Sequence, residues 1–148
     1  MSNILFYRVS DDFGFFSNFS KYGFELEGHY WPTVEHYFQS KKFDDEKIKN
    51  KIRLMSSPMD AALMGRNRKN PLVNNWELIK DDVMRAAVFE KFFQNHDIRD
   101  LLLSTGDVEI VEHTKNDSYW GDGGDGKGKN MLGIIIMEVR GKLRGISY

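Results

Sequence analysis

One stretch limits the possible folds more than any other. From Asn75 onward, Trp76, Ile79, Val83, Ala86 and Ala87 recur at helical spacing, and Lys80, Asp81 and Glu90 lie largely off that face. A helix with a single apolar face is held mainly by packing against another layer, so the rest of the chain has to supply that layer. Thr33, after Pro32, is a plausible N-cap for a helix of about ten residues. Ser57-Pro58 is a stronger start, because proline is favoured at the first helical position. A shorter helix is expected from about Asp97 to Ser104, ending at Gly106, which can take the left-handed C-cap conformation. Asn130 is positioned to cap a last helix through Met131, Leu132, Ile135, Ile136, Val139 and Leu143. Residues 4–8 and 24–27 read as short strands, with turn chemistry around Gly14 and Gly23, and Val108, Glu109 and Ile110 alternate like a third. The expected class is mainly α with a small β component (α+β), without a βαβ rhythm.

A chain of 148 residues fits one domain spanning 1–148, which buries roughly 68–70% of its unfolded surface. There is no repeat or low-complexity tract, and the three prolines sit at element starts. With 21 basic against 22 acidic residues, broad electrostatic binding to nucleic acid is disfavoured, so any such contact must be local or brief. The absence of cysteine excludes disulfides, Cys-type zinc sites and thiol nucleophiles. No apolar stretch approaches ~18 residues, and Met1-Ser2-Asn3-Ile4 lacks a basic segment leading into an apolar one. The expectation is a cytoplasmic protein with no membrane contact and no obligatory protein partner.

Two clusters carry candidate chemistry. In the segment Trp31 to Phe43, a ~100° helical step places Glu35, Phe38, Gln39 and Lys42 inside one arc. Phe38 and Val34 pull this polar stripe toward the interior, where polar groups need partners or a purpose; a structural Glu35–Lys42 pair and a functional site both fit. His36 points to the other side, outside any HExxH zinc spacing, and reads as a hydrogen-bonding core or rim histidine. The second cluster runs from Glu112 to Asn130. Five of the 13 glycines fall between 121 and 128, directly ahead of the last helix. Such a loop could curl its amides around an anion, with Lys127 and Lys129 adding charge, or could be a solvated linker. It matches no Walker, Rossmann or EF-hand spacing. Asp117 and Trp120 just upstream, a carboxylate beside a large flat ring, favour a ligand site.

Other features stay open at this level. Asn18 could present an amide to a ligand or cap a turn. Arg66, after Gly65, could bind phosphate or close a helix. Trp76 reads first as core. The four histidines and the acidic residues show no three-ligand metal set.

At these clusters the sequence resembles the NADAR (YbiA-like) family over about Phe6 to Leu143. The resemblance rests on Phe15-Phe16-Ser17-Asn18-Phe19, on residues 31–39 with Lys42, and on Ser57-Pro58, Met64-Gly65-Arg66 and Asn75-Trp76. It continues through Leu102-Leu103 with Thr105-Gly106, Glu112-His113-Thr114 with Asn116-Asp117, Tyr119 to Gly124, and Gly126 to Gly133. The resemblance implies a single-domain YbiA-like fold, mostly helical with a small sheet. It also implies N-glycosidase chemistry, in which the ribosyl–amine bond of phosphoribosylated aminopyrimidines from riboflavin synthesis is cleaved as metabolite damage control. Other branches remove ADP-ribose from guanine in DNA or nucleosides, and a non-catalytic ADP-ribose or nucleotide-binding module is a third possibility. The family's catalytic positions match Glu35, Asp117 and Trp76, which moves Trp76 from core toward site wall.

That chemistry suits the residues. Breaking a ribosyl C–N bond builds positive charge on the sugar, which a carboxylate stabilises while a second group protonates the amine or activates water. Asn18, Gln39, Lys42, Arg66, Tyr119, Trp120, Gly121, Lys127, Lys129 and Asn130 are the candidate contacts to a small ribosyl phosphate or, in the alternative, to ADP-ribosylated DNA or nucleoside. No metal or redox cofactor is called for.

Overall fold

The computed structural model describes residues 3–146. In chain order its elements are β1 (Ile4–Phe6), a 3-10 turn (Gly14–Phe16), β2 (Phe24–Leu26), β3 (His29–Trp31), α1 (Val34–Ser40), α2 (Glu46–Arg53), α3 (Pro58–Arg66), α4 (Trp76–Gln94), α5 (His96–Ser104), β4 (Ile110–Glu112) and α6 (Met131–Arg144). The α+β class expected from the sequence is the one observed.

The long amphipathic stretch is α4, and it is central. Its buried side chains Trp76, Val83, Met84, Ala87, Val88 and Phe92 meet α1, α5 and α6. At roughly 1.5–3 kcal/mol for each large side chain taken from water, this shared core outweighs the intrinsic stability of any of the helices. A smaller apolar cluster of Phe43, Ile52 and Ala61 joins the α1–α2–α3 side. Thr33 caps α1 by accepting the His36 N–H at 3.2 Å, and Ser57 caps α3 by accepting the Asp60 N–H at 3.1 Å. His36 is buried as a structural group, bonded to the Thr33 hydroxyl at 2.7 Å and to the Met55 carbonyl at 3.0 Å. Gly106 has the left-handed φ of 63° at the end of α5.

Several elements differ from expectation. Helix α2 was not anticipated, because its apolar stripe is only Ile48 and the buried Ile52, and its other six residues are Glu, Lys, Asn and Arg, capped by Asp45. Strand β3 pairs antiparallel with β2, Phe24 opposite Trp31, in a hairpin that the sequence did not announce. The last strand lies at 110–112 and not at 108–110, because pairing with β1 buries Ile110 and Val111 together and abolishes the alternation. That pairing is parallel, with Phe6 opposite Glu112. Asn130 stands at the N-cap of α6 but makes no capping bond. Its Oδ1 accepts the Glu112 N–H at 2.9 Å and its Nδ2 donates to the Ile110 carbonyl at 3.0 Å, so it ties the helix to β4.

Candidate active site

Helix α1, the turn after the 3-10 segment, the end of α3, the end of β4 and the loop behind it surround a cavity of about 1050 Å³. Glu35 and Gln39 enter it from the face of α1, one helical turn apart, and the Gln39 amide donates to Glu35 Oε2 at 2.9 Å. Lys42 and Arg66 also line it. Burial pushes the Glu35 carboxyl up from its ordinary range, against the opposing pull of the Gln39 amide and the Arg66 and Lys42 charges; Asp117 adds to the upward push. Lys42 is held down at about 8, chiefly by burial and then by Arg68 and Arg66.

The loop after β4 brings Asp117 and Trp120 to the same cavity. Asp117 Oδ1 accepts the N–H groups of Tyr119 at 2.9 Å and Trp120 at 2.8 Å, which fixes the carboxylate in one orientation. Trp120 meets the Phe38 ring edge-on, with 5.4 Å between centroids, as a wall. The loop folds back tightly because Gly121 has no side chain: a Cβ there would stand 2.9 Å from the Asp117 and Glu112 carbonyl oxygens. Asn18 lines the cavity opposite. Its Nδ2 reaches only the Met84 sulfur at 3.6 Å, and its Oδ1 is buried without a partner, as is Gln39 Oε1. The Gln39 oxygen lies against Gly65, where a Cβ would stand 2.0 Å from it.

The structure therefore gathers Glu35, Asp117, Asn18, Gln39, Lys42, Arg66 and Trp120. Trp76 is 7% exposed and lies behind the lining, edge-on to Phe38 with 5.1 Å between centroids. Tyr119 turns away, donating its hydroxyl to Asp81 at 2.6 Å beneath the Lys80 ammonium. Gly121 and Asn130 shape the backbone, and Lys127 and Lys129 are exposed on the outer loop. The loop does not curl its amides around an anion. The N–H groups of Asp122, Gly123, Gly124, Lys127, Gly128, Lys129 and Asn130 all bond within the protein. Asp122 is the knot of this arrangement, accepting from Thr114 and Gly124 and pairing with His113 at 2.7 Å.

Sequence reasoning placed Glu112 at the start of the second cluster but gave it no role, and it lines the same cavity. Burial first, and then the charges of Asp117, Glu35 and Asp122, push its carboxyl up to about 7. Among the described residues, no three His, Asp or Glu are arranged to hold a metal ion, and no helix is long and apolar enough to cross a membrane.

The cavity thus joins acidic residues from distant segments with two cations, Lys42 and Arg66, at its wall. The family comparison names the class of protein that carries it, since the model of the NADAR domain matches residues 5–144. The chain belongs to the NADAR family. Among NADAR relatives, it is 56% identical to N-glycosidase YbiA of Shigella boydii serotype 4 (strain Sb227), over 95% of this chain and 88% of the relative. It is 40% identical to a riboflavin biosynthesis protein of Vibrio vulnificus (strain YJ016), covering 95% of this chain and 38% of that longer protein. The NMR structure of the Escherichia coli protein YbiA superposes with a TM-score of 0.89 at 53% identity, covering 97% of this chain and 87% of the other.

Proposed function

We propose that this NADAR protein is an N-glycosidase that hydrolyses the ribosyl C–N bond of phosphoribosylated aminopyrimidines, intermediates of riboflavin synthesis, in the cytoplasm. One observation carries the proposal: Glu35 from α1 and Asp117 from the loop after β4 meet in a single cavity with Lys42 and Arg66. The relatives named N-glycosidase and riboflavin biosynthesis protein support the bond type and the substrate class.

As the C–N bond lengthens, positive charge spreads over C1′ and the ring oxygen of the ribose. Asp117, held by two backbone amides, opposes that charge with a carboxylate that need not reorient. Glu35, largely removed from water and steadied by Gln39, accepts the proton of the water that attacks C1′. Arg66 and Lys42 hold the phosphate, and Trp120 provides a flat surface for the pyrimidine. Asn18, on the cavity wall, offers its amide to a ribose hydroxyl.

Incubation of the protein with a phosphoribosylated aminopyrimidine and, separately, with ADP-ribosylated guanosine tests the assignment. Ribose 5-phosphate should appear rapidly from the first. Release of ADP-ribose alone would transfer the activity to guanine de-modification, and tight binding of either compound without any product would overturn the enzymatic assignment.

A further inference from the structure

The three carboxylates in the cavity differ in what faces them. Glu35 has the Gln39 amide at 2.9 Å, with Arg66 and Lys42 near enough to act on it through space. Asp117 has two backbone N–H groups. No donor among the described residues bonds the Glu112 carboxyl, and the charges that act on it, those of Asp117, Glu35 and Asp122, are all negative. Three clustered carboxylates do not all ionise when one of them has neither a donor nor a cation, and the unsupported group is the one that keeps its proton. The backbone beneath Glu112 is rigid: its N–H donates to Asn130 Oδ1 and its carbonyl accepts the Asp122 N–H, both at 2.9 Å, and β1 flanks it.

We propose that Glu112 is the acid of the reaction, its carboxyl delivering a proton from the end of β4 to the nitrogen that leaves C1′, in the same cavity as the water-activating Glu35. This rests on the N-glycosidase assignment above. In the step, the C1′–N bond breaks and its electron pair stays on nitrogen, which takes the Glu112 proton and departs as the free amine. Water then forms the new C1′–O bond and gives a proton to Glu35. Transfer of that proton through solvent back to Glu112 restores the starting state, so the net change is one water consumed per bond cleaved. The carboxyl's position near 7 lets it hold a proton at neutral pH and still release it.

The test is Glu112→Gln, which imitates the protonated carboxyl in shape but has no acidic proton. Two substrates are compared, the phosphoribosylated aminopyrimidine and 4-nitrophenyl ribofuranoside 5-phosphate, whose nitrophenolate departs without protonation. In the folded variant, kcat for the amine should fall by roughly 10²–10⁴-fold and kcat for the nitrophenyl substrate by less than about tenfold. Glu112→Asp, which retains the acid at shorter reach, should recover part of the amine activity and serves if the glutamine variant fails to fold. Equal loss on both substrates, or full retention on the amine, overturns the role of Glu112. A wild-type protein that cleaves neither compound overturns instead the N-glycosidase assignment on which the role depends.

Discussion

The Gln39 amide binds Glu35 with its nitrogen, at 2.9 Å, and lays its unpartnered oxygen in the space where Gly65 has no side chain. Helix α1 thus aims its carboxylate through a contact with α3. A Cβ on Gly65 would stand 2.0 Å from Gln39 Oε1 and 2.7 Å from its Cδ. The absence of one methyl group on α3 sets the orientation of an acid on α1.

Gly65→Ala should therefore act on catalysis at a distance. The Gln39 amide has to swing away and release Glu35, and a displacement on the 1 Å scale costs about 10²-fold in turnover. Steady-state kinetics of Gly65→Ala beside Gln39→Ala would check this. If both lose kcat and keep most of their thermal stability, Gly65 acts by positioning; unchanged kcat in Gly65→Ala would show that the cavity absorbs the methyl group.

Glu35→Gln should lower turnover by roughly 10²-fold or more, the scale of one positioned acid–base group. Its melting temperature should hold or rise, because burial disfavours the charged form that the substitution removes. A structural Glu35–Lys42 pair would make the opposite forecast, a lower melting temperature with specific activity retained. Thermal denaturation and kcat measured on one preparation separate the two.

Arg66 lines the cavity and Lys127 and Lys129 do not. Arg66→Ala should raise KM about tenfold or more with kcat little changed, since a phosphate is held equally in ground and transition states. Lys127→Ala with Lys129→Ala should change KM by less than about threefold. A larger KM effect from the lysine pair than from Arg66 would move the phosphate to the glycine loop.

Lys91 is 1% exposed and donates to the Ser17 carbonyl at 3.0 Å, directly beneath Asn18. Burial lowers its ammonium from 10.5 to about 7, so the folded state favours the neutral amine. The stabilisation this brings is complete above pH 10.5 and drains away as the pH falls through about 7. Melting temperatures of wild type and Lys91→Met, taken across that range, should shift in favour of the variant as the pH falls and level off below about 7. Parallel curves at all pH values would mean that the lysine stays charged and solvated.

The sequence alone determined what depends on neighbours along the chain. The apolar period of α4, the Thr33 and Ser57 caps and the Gly106 stop are encoded within a few residues, so these features could be read before any fold was known. The same holds for the α1 stripe, because helical geometry alone places Glu35 beside Gln39. Tertiary structure decided the rest. Helix α2 has its own cap and an Ile48–Ile52 stripe but is held in place by packing against α1 and α3, and β4 has meaning only against β1. Asn130 stands at a cap position but spends its amide on β4, and the glycine loop spends its N–H groups on itself. Trp76 and Trp120 are both aromatic and flank the same ring, Phe38, yet one faces the cavity and the other stands behind it. Glu112 is the plainest case. Its protonation depends on Asp117, Glu35 and Asp122, brought to it by a helix and a loop, and the mutual repulsion of carboxylates exists only once the chain has folded to bring them together.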